Sequence, residues 1–295
     1  MRHPLVPRRC DGPFRLLSIL VAALAANAVR VAAAQEVRVR VSQESAPGAG
    51  DFGAGIVGIV TAFPLGAGVE AFYQYGNPQP ASFNGAAFAT QSNAVHLFVA
   101  SGDGLGGDIR LGMVFDGLTD GDFAGGRAET RVTAVIPAVG LTLDFADDPS
   151  RDSGDRYAVA FDGSFVAADQ RWAPTVRTDG YVLGGLACGS VVHVAFAEFD
   201  DPATPPIGGL ESFVAMSSDG STLPLALATD RRVQLEVLPP ATCVGDLTCD
   251  GVVDNVDVAT MLSFWGYSAI SDIDGDGTTD SNDLSALLGD WGACP

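Results

Sequence analysis

The chain has 295 residues, 47% of them hydrophobic and 18% charged, and a formal net charge of −20. The sixteen basic residues are all arginine. So strong an acidic balance excludes nucleic acid and anionic membrane surfaces as partners, and favours cations and a soluble, extracytoplasmic protein.

In chain order, Arg2, Arg8, Arg9 and Arg15 form a basic stretch, residues 16–28 an apolar one, and Ala32-Ala33-Ala34 a small-residue cleavage site before Gln35. Ala26-Asn27-Ala28 is a second candidate site. This pattern predicts a secretory signal over 1–34 and bacterial export, to the medium, the cell surface or the periplasm. Its loss removes five arginines against one aspartate and deepens the formal charge from −20 to −24. The apolar run is short and is followed by Arg30, against a spanning helix, so no membrane span is expected in the mature chain.

Residues 35–240 are Gly-rich and read as one large β domain. Alternating or β-rich runs fall at 36–41, 55–63, 68–75, 94–100, 109–115, 128–136, 141–145, 157–165, 181–186, 190–199, 211–217 and 232–238. Turn clusters separate them, such as Ser101-Gly-Asp-Gly and Asp219-Gly220. The pattern predicts a jelly-roll-like β-sandwich, and Pro239-Pro240 a stiff linker after it.

Candidate sites in this domain are of four kinds. Asp103, Asp108, Asp116, Asp120 and Asp122 cluster in Gly-rich turns that could hold a cation, and Asp144, Asp147, Asp148, Asp152 and Asp155 form a second acidic stretch. Glycoside hydrolysis needs two carboxylates, and Glu70, Glu129, Glu198 and Glu211 lie in or beside predicted strands. His96 and His193 are the histidines outside the signal, so a three-histidine metal site is excluded, and no Gly-x-Ser-x-Gly elbow supports a serine triad. Phe72, Tyr73, Tyr75, Trp172 and Tyr181 could stack on sugars or fill a core.

The mature chain would keep Cys188, Cys243, Cys249 and Cys294, an even number in an exported protein. Of three pairings, Cys243–Cys294 is favoured, because two antiparallel loop–helix units bring their outer ends together. Cys188 and Cys249 either pair across the domains or stay free.

The last fifty or so residues repeat one acidic loop. Asp246, Thr248, Asp250, Val252, Asp254 and Asp257 recur 26 residues later as Asp272, Asp274, Asp276, Thr278, Asp280 and Asp283. They occupy positions 1, 3, 5, 7, 9 and 12 of a twelve-residue loop with Gly251 or Gly277 at position 6. Oxygen ligands at those positions, with a carbonyl from Val252 or Thr278 at position 7, are the EF-hand recipe for calcium. Two calcium ions are therefore expected. Thr248 offers a neutral hydroxyl where the second loop has Asp274, so the first site is expected to be weaker. Behind each loop, Val258, Met261, Leu262 and Trp265, and then Leu284, Leu287, Leu288 and Trp291, fall on one helical face. These faces are expected to form the mutual core of the two units, with Gly266 and Gly292 as helix stops.

The duplicated loop ending in Asp, with one helix per loop, resembles a type I dockerin. The flanks, from Cys243-Val-Gly-Asp to Asp290-Trp-Gly-Ala-Cys-Pro295, look like the C-terminal modules of secreted planctomycete proteins. The resemblance covers residues 243–295. It implies a small all-α pair of calcium loop–helix units that plugs an extracellular protein, often a polysaccharide-degrading enzyme, into a cohesin-like or other scaffold. Loop positions 10 and 11, where cohesin-binding members carry a Ser-Thr type pair, are Asn255-Val256 and Ser281-Asn282, and residues 243–295 contain no basic residue. The calcium chemistry carries over; cohesin recognition does not.

The expected function is that of an exported two-domain protein, with a binding or structural β-sandwich at 35–240 and a calcium-loaded docking module at 241–295. The alternatives are a glycoside hydrolase acting in polysaccharide breakdown, and a carbohydrate-binding module without catalysis.

Overall fold

The protein is represented by a computed structural model. It describes residues 36–294, apart from 67, 75–82, 84–86, 103–108, 117–125, 137–139, 148–154, 173–177, 198–204 and 267–270. The expected signal segment lies outside the described residues.

The chain is mostly β, and its strands form more than one sheet. One sheet runs, in spatial order, β2 (Ile56–Thr61), β1 (Arg38–Gln43), β15 (Val233–Leu238), β11 (Val191–Phe196), β6 (Gly126–Ile136), β9 (Phe165–Trp172) and β8 (Arg156–Val159), with β12 (Ile207–Gly208) beside β6. The other runs β14 (Thr222–Leu225), β13 (Ser212–Met216), β4 (Ala94–Ser101), β5 (Ile109–Phe115), β10 (Asp179–Leu186) and β7 (Thr142–Ala146), with β3 (Phe63–Pro64) beside β4. Neighbours are antiparallel except that β3 and β13 both run parallel to β4.

Strand alternation builds the core between the sheets. Val39 and Val41 of β1, Val233, Leu235 and Val237 of β15, and Val192, Val194 and Phe196 of β11 face Leu97 and Val99 of β4 and Leu111 and Met113 of β5. The second sheet is buried on its other face as well. Phe98 and Ala100 of β4, Val114 of β5 and Val182 of β10 meet Phe63, Leu65, Tyr73 and Phe83 in a second apolar cluster. Two covered faces explain why β4 reads Ala-Val-His-Leu-Phe-Val-Ala without a polar alternation. Gly112 makes room for this packing, because a Cβ there would lie 2.0 Å from the Phe98 ring.

The structure corrects the sequence reading in several places. Residues expected as a strand at 68–75 include a short helix, α1 (Val69–Tyr73), ended by Gln74 in the left-handed region. Its Tyr73 inserts into the second apolar cluster, and Phe72 packs against that cluster. The run at 157–165 is not one strand but β8, a turn over 160–163 and the start of β9. Asp162 and Gly163 make the turn: the Asp162 carboxylate accepts the Ser164 amide at 3.0 Å, and Gly163 has φ +68. The remainder of β9, and all of β14, were not anticipated. Pro239 and Pro240 are buried rather than strung out as a linker, and Arg38 donates to the Pro239 carbonyl at 3.2 Å.

The C-terminal residues carry two nine-residue helices, α2 (Asn255–Ser263) and α3 (Ser281–Gly289). They are not purely helical. β16 (Val252–Val253) pairs with β17 (Gly292–Ala293) in a two-residue antiparallel ladder that ties the first loop to the end of the chain. Among the described residues, no helix is long and apolar enough to cross a membrane.

Candidate metal centre

The two acidic loops share most of their internal hydrogen bonds. The Gly251 amide donates to Asp246 at 3.0 Å, and the Gly277 amide to Asp272 at 3.0 Å. The Val252 amide donates to Asp250, and the Thr278 amide to Asp276, both at 2.9 Å. Each Gly at position 6 sits at positive φ, +88 for Gly251 and +96 for Gly277, where a side chain would be strained.

Each loop runs directly into a helix. Asp254 caps α2 and Asp280 caps α3, accepting the amides of Val256 and Asn282 at 2.7 Å. The carboxylates of Asp257 and Asp283 reach back to the Asp254 and Asp280 amides at 2.8 Å, completing capping boxes. Asp257 and Asp283 also accept the Thr248 and Asp274 amides at 3.0 and 3.1 Å. Both are fully buried. Positions 9 and 12 of each loop therefore hold the helix start and the loop interior together.

The loops differ at their first residue. Asp246 is buried, and both of its oxygens accept amides, from Asp250 at 3.1 Å and from Gly251. Asp272 is 8% exposed, and its Oδ1 is buried and accepts no hydrogen bond from the described residues. A buried carboxylate oxygen left without a donor or cation is costly. Asp272, Asp274 and Asp276 bring one carboxylate oxygen each within 4.8 Å of one another. A second group of this kind, Cys243, Asp246 and Cys294, offers no thiolate, because its two sulfurs are bonded to each other.

The acids of both loops feel one another. The Asp276 amide pulls the Asp274 carboxyl down, but burial and the charges of Asp276, Asp283 and Asp272 outweigh it and hold that carboxyl above its ordinary range. Burial, joined by the charges of Asp257 and Asp250, raises Asp246 against two amide hydrogen bonds. Calcium, a hard cation taking six to eight oxygens, would meet this donor set: carboxylates of both loops, the Thr248 hydroxyl, and carbonyls at Val252 and Thr278.

Two disulfides frame the region. Cys243 pairs with Cys294, closing the ends of the repeat, and Cys188 pairs with Cys249. Cys188 follows β10 and Cys249 is position 4 of the first loop, so the second bond joins the β body to that loop.

The helix faces depart from the sequence reading. Met261 and Leu287 are fully buried with Cys243, Leu247 and Val253. Leu262 and Trp265, expected inside, are 54% and 42% exposed, and their repeat equivalents Leu288 and Trp291 are 50% and 54% exposed. Met261 and Leu287 are joined by Val258 and Leu284, which are partly buried against them as expected, and by the disulfide and loop residues, and these fill the core of so small a unit. α2 ends at Ser263 and α3 at Gly289, before their tryptophans, so Trp265 and Trp291 fall beyond the helical spacing. The stops fall elsewhere too: Gly266, with φ +85, donates its amide to the Thr279 carbonyl of the second loop at 2.9 Å, and Gly292 is in β17.

The other candidates resolve into structure. Tyr73, Tyr181 and Trp172 are core residues, and Phe72 packs against the second cluster, so they form no sugar platform; Tyr75 lies outside the described residues. His96 is buried and neutral, its proton affinity pushed down to about 4 by burial. Its Nε2 accepts the Gln91 amide at 2.8 Å and its Nδ1 meets the Val114 carbonyl at 3.2 Å, leaving no lone pair for a base. His193 is half-buried against Phe52, with Nε2 3.1 Å from Gln234.

Glu129 is sealed inside, cross-strand from Asp169, which is likewise buried. Burial would raise the Asp169 carboxyl, but hydrogen bonds from Arg127, Arg171 and Arg156 outweigh it and hold it low, which disqualifies it as a general acid. Glu70 is on α1, Glu211 precedes β13, and Glu198 lies outside the described residues. Asp116 accepts the Asn93 amide at 2.8 Å, Asp144 pairs with Arg110 at 2.8 Å, Asp147 accepts the Tyr73 hydroxyl at 2.9 Å, and Asp155 accepts the Arg171 amide at 2.9 Å. Asp103, Asp108, Asp120, Asp122, Asp148 and Asp152 lie outside the described residues. The Asp169 network was missed in the sequence, because Arg127 and Arg156 reach Asp169 from the neighbouring strands β6 and β8.

No protein-family model, no curated protein and no solved structure matches the chain.

Proposed function

We propose that this is an exported calcium-binding docking protein. Residues 241–295 are read as a dockerin-like module holding two calcium ions, one in Asp246–Asp257 and one in Asp272–Asp283. The β body is read as a jelly-roll-like sandwich carried by that module. The buried Asp272 Oδ1, which accepts no hydrogen bond from the described residues, supports the calcium reading, because a cation bound by Asp272, Asp274 and Asp276 would supply the missing partner.

The observation that carries docking is the matched exposure of Leu262 and Trp265 with Leu288 and Trp291. Four large apolar residues standing out of a unit this small, at equivalent places in both repeats, mark a surface for a partner. Residues 243–295 hold ten aspartates and no basic residue, so two loaded calcium ions still leave the module acidic. Charge repulsion disfavours a second copy as the occupant. The partner that fits is another extracellular protein with an apolar face rimmed by Lys and Arg.

The test is retention of proteins from the source envelope on the immobilised mature chain, in calcium and in EDTA, against the Leu262→Ser, Trp265→Ala, Leu288→Ser, Trp291→Ala variant. One identified protein with an apolar, basic-rimmed face, bound in calcium, released by EDTA, weakened by salt and lost with the variant, supports docking. Equal retention by both chains, or none, removes it.

A further inference from the structure

Both loops turn at position 4 as well as at position 6. The second has Gly275 there, with φ +76, and the first has Cys249, with φ +53. Both values lie in the left-handed region, which glycine enters freely and a residue with a side chain does not. A Cβ at Gly275 would meet nothing within 4 Å, so glycine stands there for its backbone and not for room. The turn bears on the donor set. Directly after it, the Asp250 amide donates to the Asp246 carboxylate at 3.1 Å, which ties position 5 of the first loop to position 1.

Cys249 is bonded to Cys188, which lies in the short connection between β10 and β11. Within that connection the Ser190 amide donates to the Ala187 carbonyl at 3.0 Å, and the Ala187 amide to the Ser190 hydroxyl at 2.9 Å. The connection is also tied to β15. The Gly189 amide donates to the Val237 carbonyl at 3.1 Å, and the Val237 amide to the Ser190 carbonyl at 3.0 Å. The anchor is therefore part of the sheet, and the bond holds Cys249 from outside the repeat. The second loop contains no cysteine, and its glycine needs no such hold.

We propose that Cys249 is a positioning residue of the first cation loop, held by Cys188 in the backbone conformation that glycine supplies in the second. The inference rests on the calcium reading of the two loops. With the bond in place, the turn at position 4 is set before a cation arrives. Without it, residue 249 relaxes out of the left-handed region, and binding has to force it back. The first loop, already one carboxylate short at Thr248, is then the one whose affinity depends on the β body.

The test is calcium titration calorimetry of the full mature chain and of two double variants without the bond, with circular dichroism confirming that the β body is intact. One variant is Cys188→Ser with Cys249→Ser, and the other is Cys188→Ser with Cys249→Gly. The serine variant should lose about tenfold in affinity at the weaker of two sites, the scale of one non-glycine residue forced into the left-handed region. Its stronger site should be unchanged. The glycine variant lacks the same bond and should keep the weaker site within a few-fold, because its position 4 then matches Gly275. An unchanged weaker site in the serine variant would overturn this inference and leave the calcium reading standing. Equal losses in both variants would do the same, since the bond would then act as a tether alone. A wild-type chain that binds a single ion, unaffected by either variant, would also overturn it. No calcium binding by the wild-type chain would overturn both.

Discussion

Removing calcium from the mature chain should unfold residues 243–294 and leave the β body in place. The oxygens of Asp272, Asp274 and Asp276 lie within 4.8 Å of one another. At that distance two unit charges repel by about 0.9 kcal/mol in bulk water and about 3.5 kcal/mol at an effective dielectric of 20. Three such pairs give about 3 to 10 kcal/mol, against about 5–15 kcal/mol for the whole stability of an ordinary domain. Calcium at a thousand times its dissociation constant returns about 4 kcal/mol per site. For a unit this small, that corresponds to a melting shift of about 15 °C or more. The chain has three tryptophans, of which Trp265 and Trp291 are in this region and Trp172 is in the body. A Trp172→Phe chain therefore reports the loops by fluorescence while far-ultraviolet circular dichroism follows the sheets. The expected outcome is a calcium-dependent fluorescence transition with the β signal retained in EDTA. Superimposable fluorescence melts in calcium and EDTA would refute the coupling of metal to folding.

Asp272→Ala should remove more of the calcium-dependent stabilisation than Asp246→Ala, up to about 4 kcal/mol for a lost site, because Thr248 leaves the first loop one charge short. The difference between calcium and EDTA melts isolates this effect, and equal or reversed losses would remove the argument. Phe98→Ala should destabilise the body by about 3–5 kcal/mol, since Phe98 is 1% exposed among the rings of Phe63, Phe72, Phe83 and Phe88; a denaturant midpoint shift below about 1 kcal/mol would mean that face is not a core. The hydrogen bond from Arg232 holds the Glu44 carboxyl down to about 2, from an ordinary value of 4.5. The folded form is thus favoured above pH 4.5, and the favour fades as pH falls towards 2. With Arg232 41% exposed, solvent screening limits this to about 1 kcal/mol. The stability gap between wild type and Glu44→Gln should close across that window; a gap independent of pH would contradict it.

How much of this was legible in the sequence varied with how local the causes are. β4 and β5 were readable because burial on both faces leaves runs that are mostly apolar, interrupted inside by His96 and Arg110. α1 was misread because Val69, Ala71 and Tyr73 alternate like a strand, while the contacts that hold Tyr73 lie far along the chain. β9 carries Asp169, Gln170 and Arg171, which look like a loop until Arg127 and Arg156 arrive from neighbouring strands. β14 contains Pro224, which a strand tolerates because β14 lies at the edge of its sheet. The loop register could be read from spacing because positions 1 to 12 are contiguous. The outward turn of Leu262 and Trp265 could not, because helical periodicity does not say how much interior a small unit has to fill.

The two disulfides turn the chain into overlapping closed rings. Cys188–Cys249 spans the entry to the repeat, and Cys243–Cys294 closes the repeat itself. A protease that cuts the single connection between β15 and Cys243 therefore releases nothing, because the severed segment stays bonded through Cys249. A cut between Cys249 and Cys294 is likewise held by the outer bond. A single cut therefore parts the body from its C-terminal attachment only when the bonds are reduced as well.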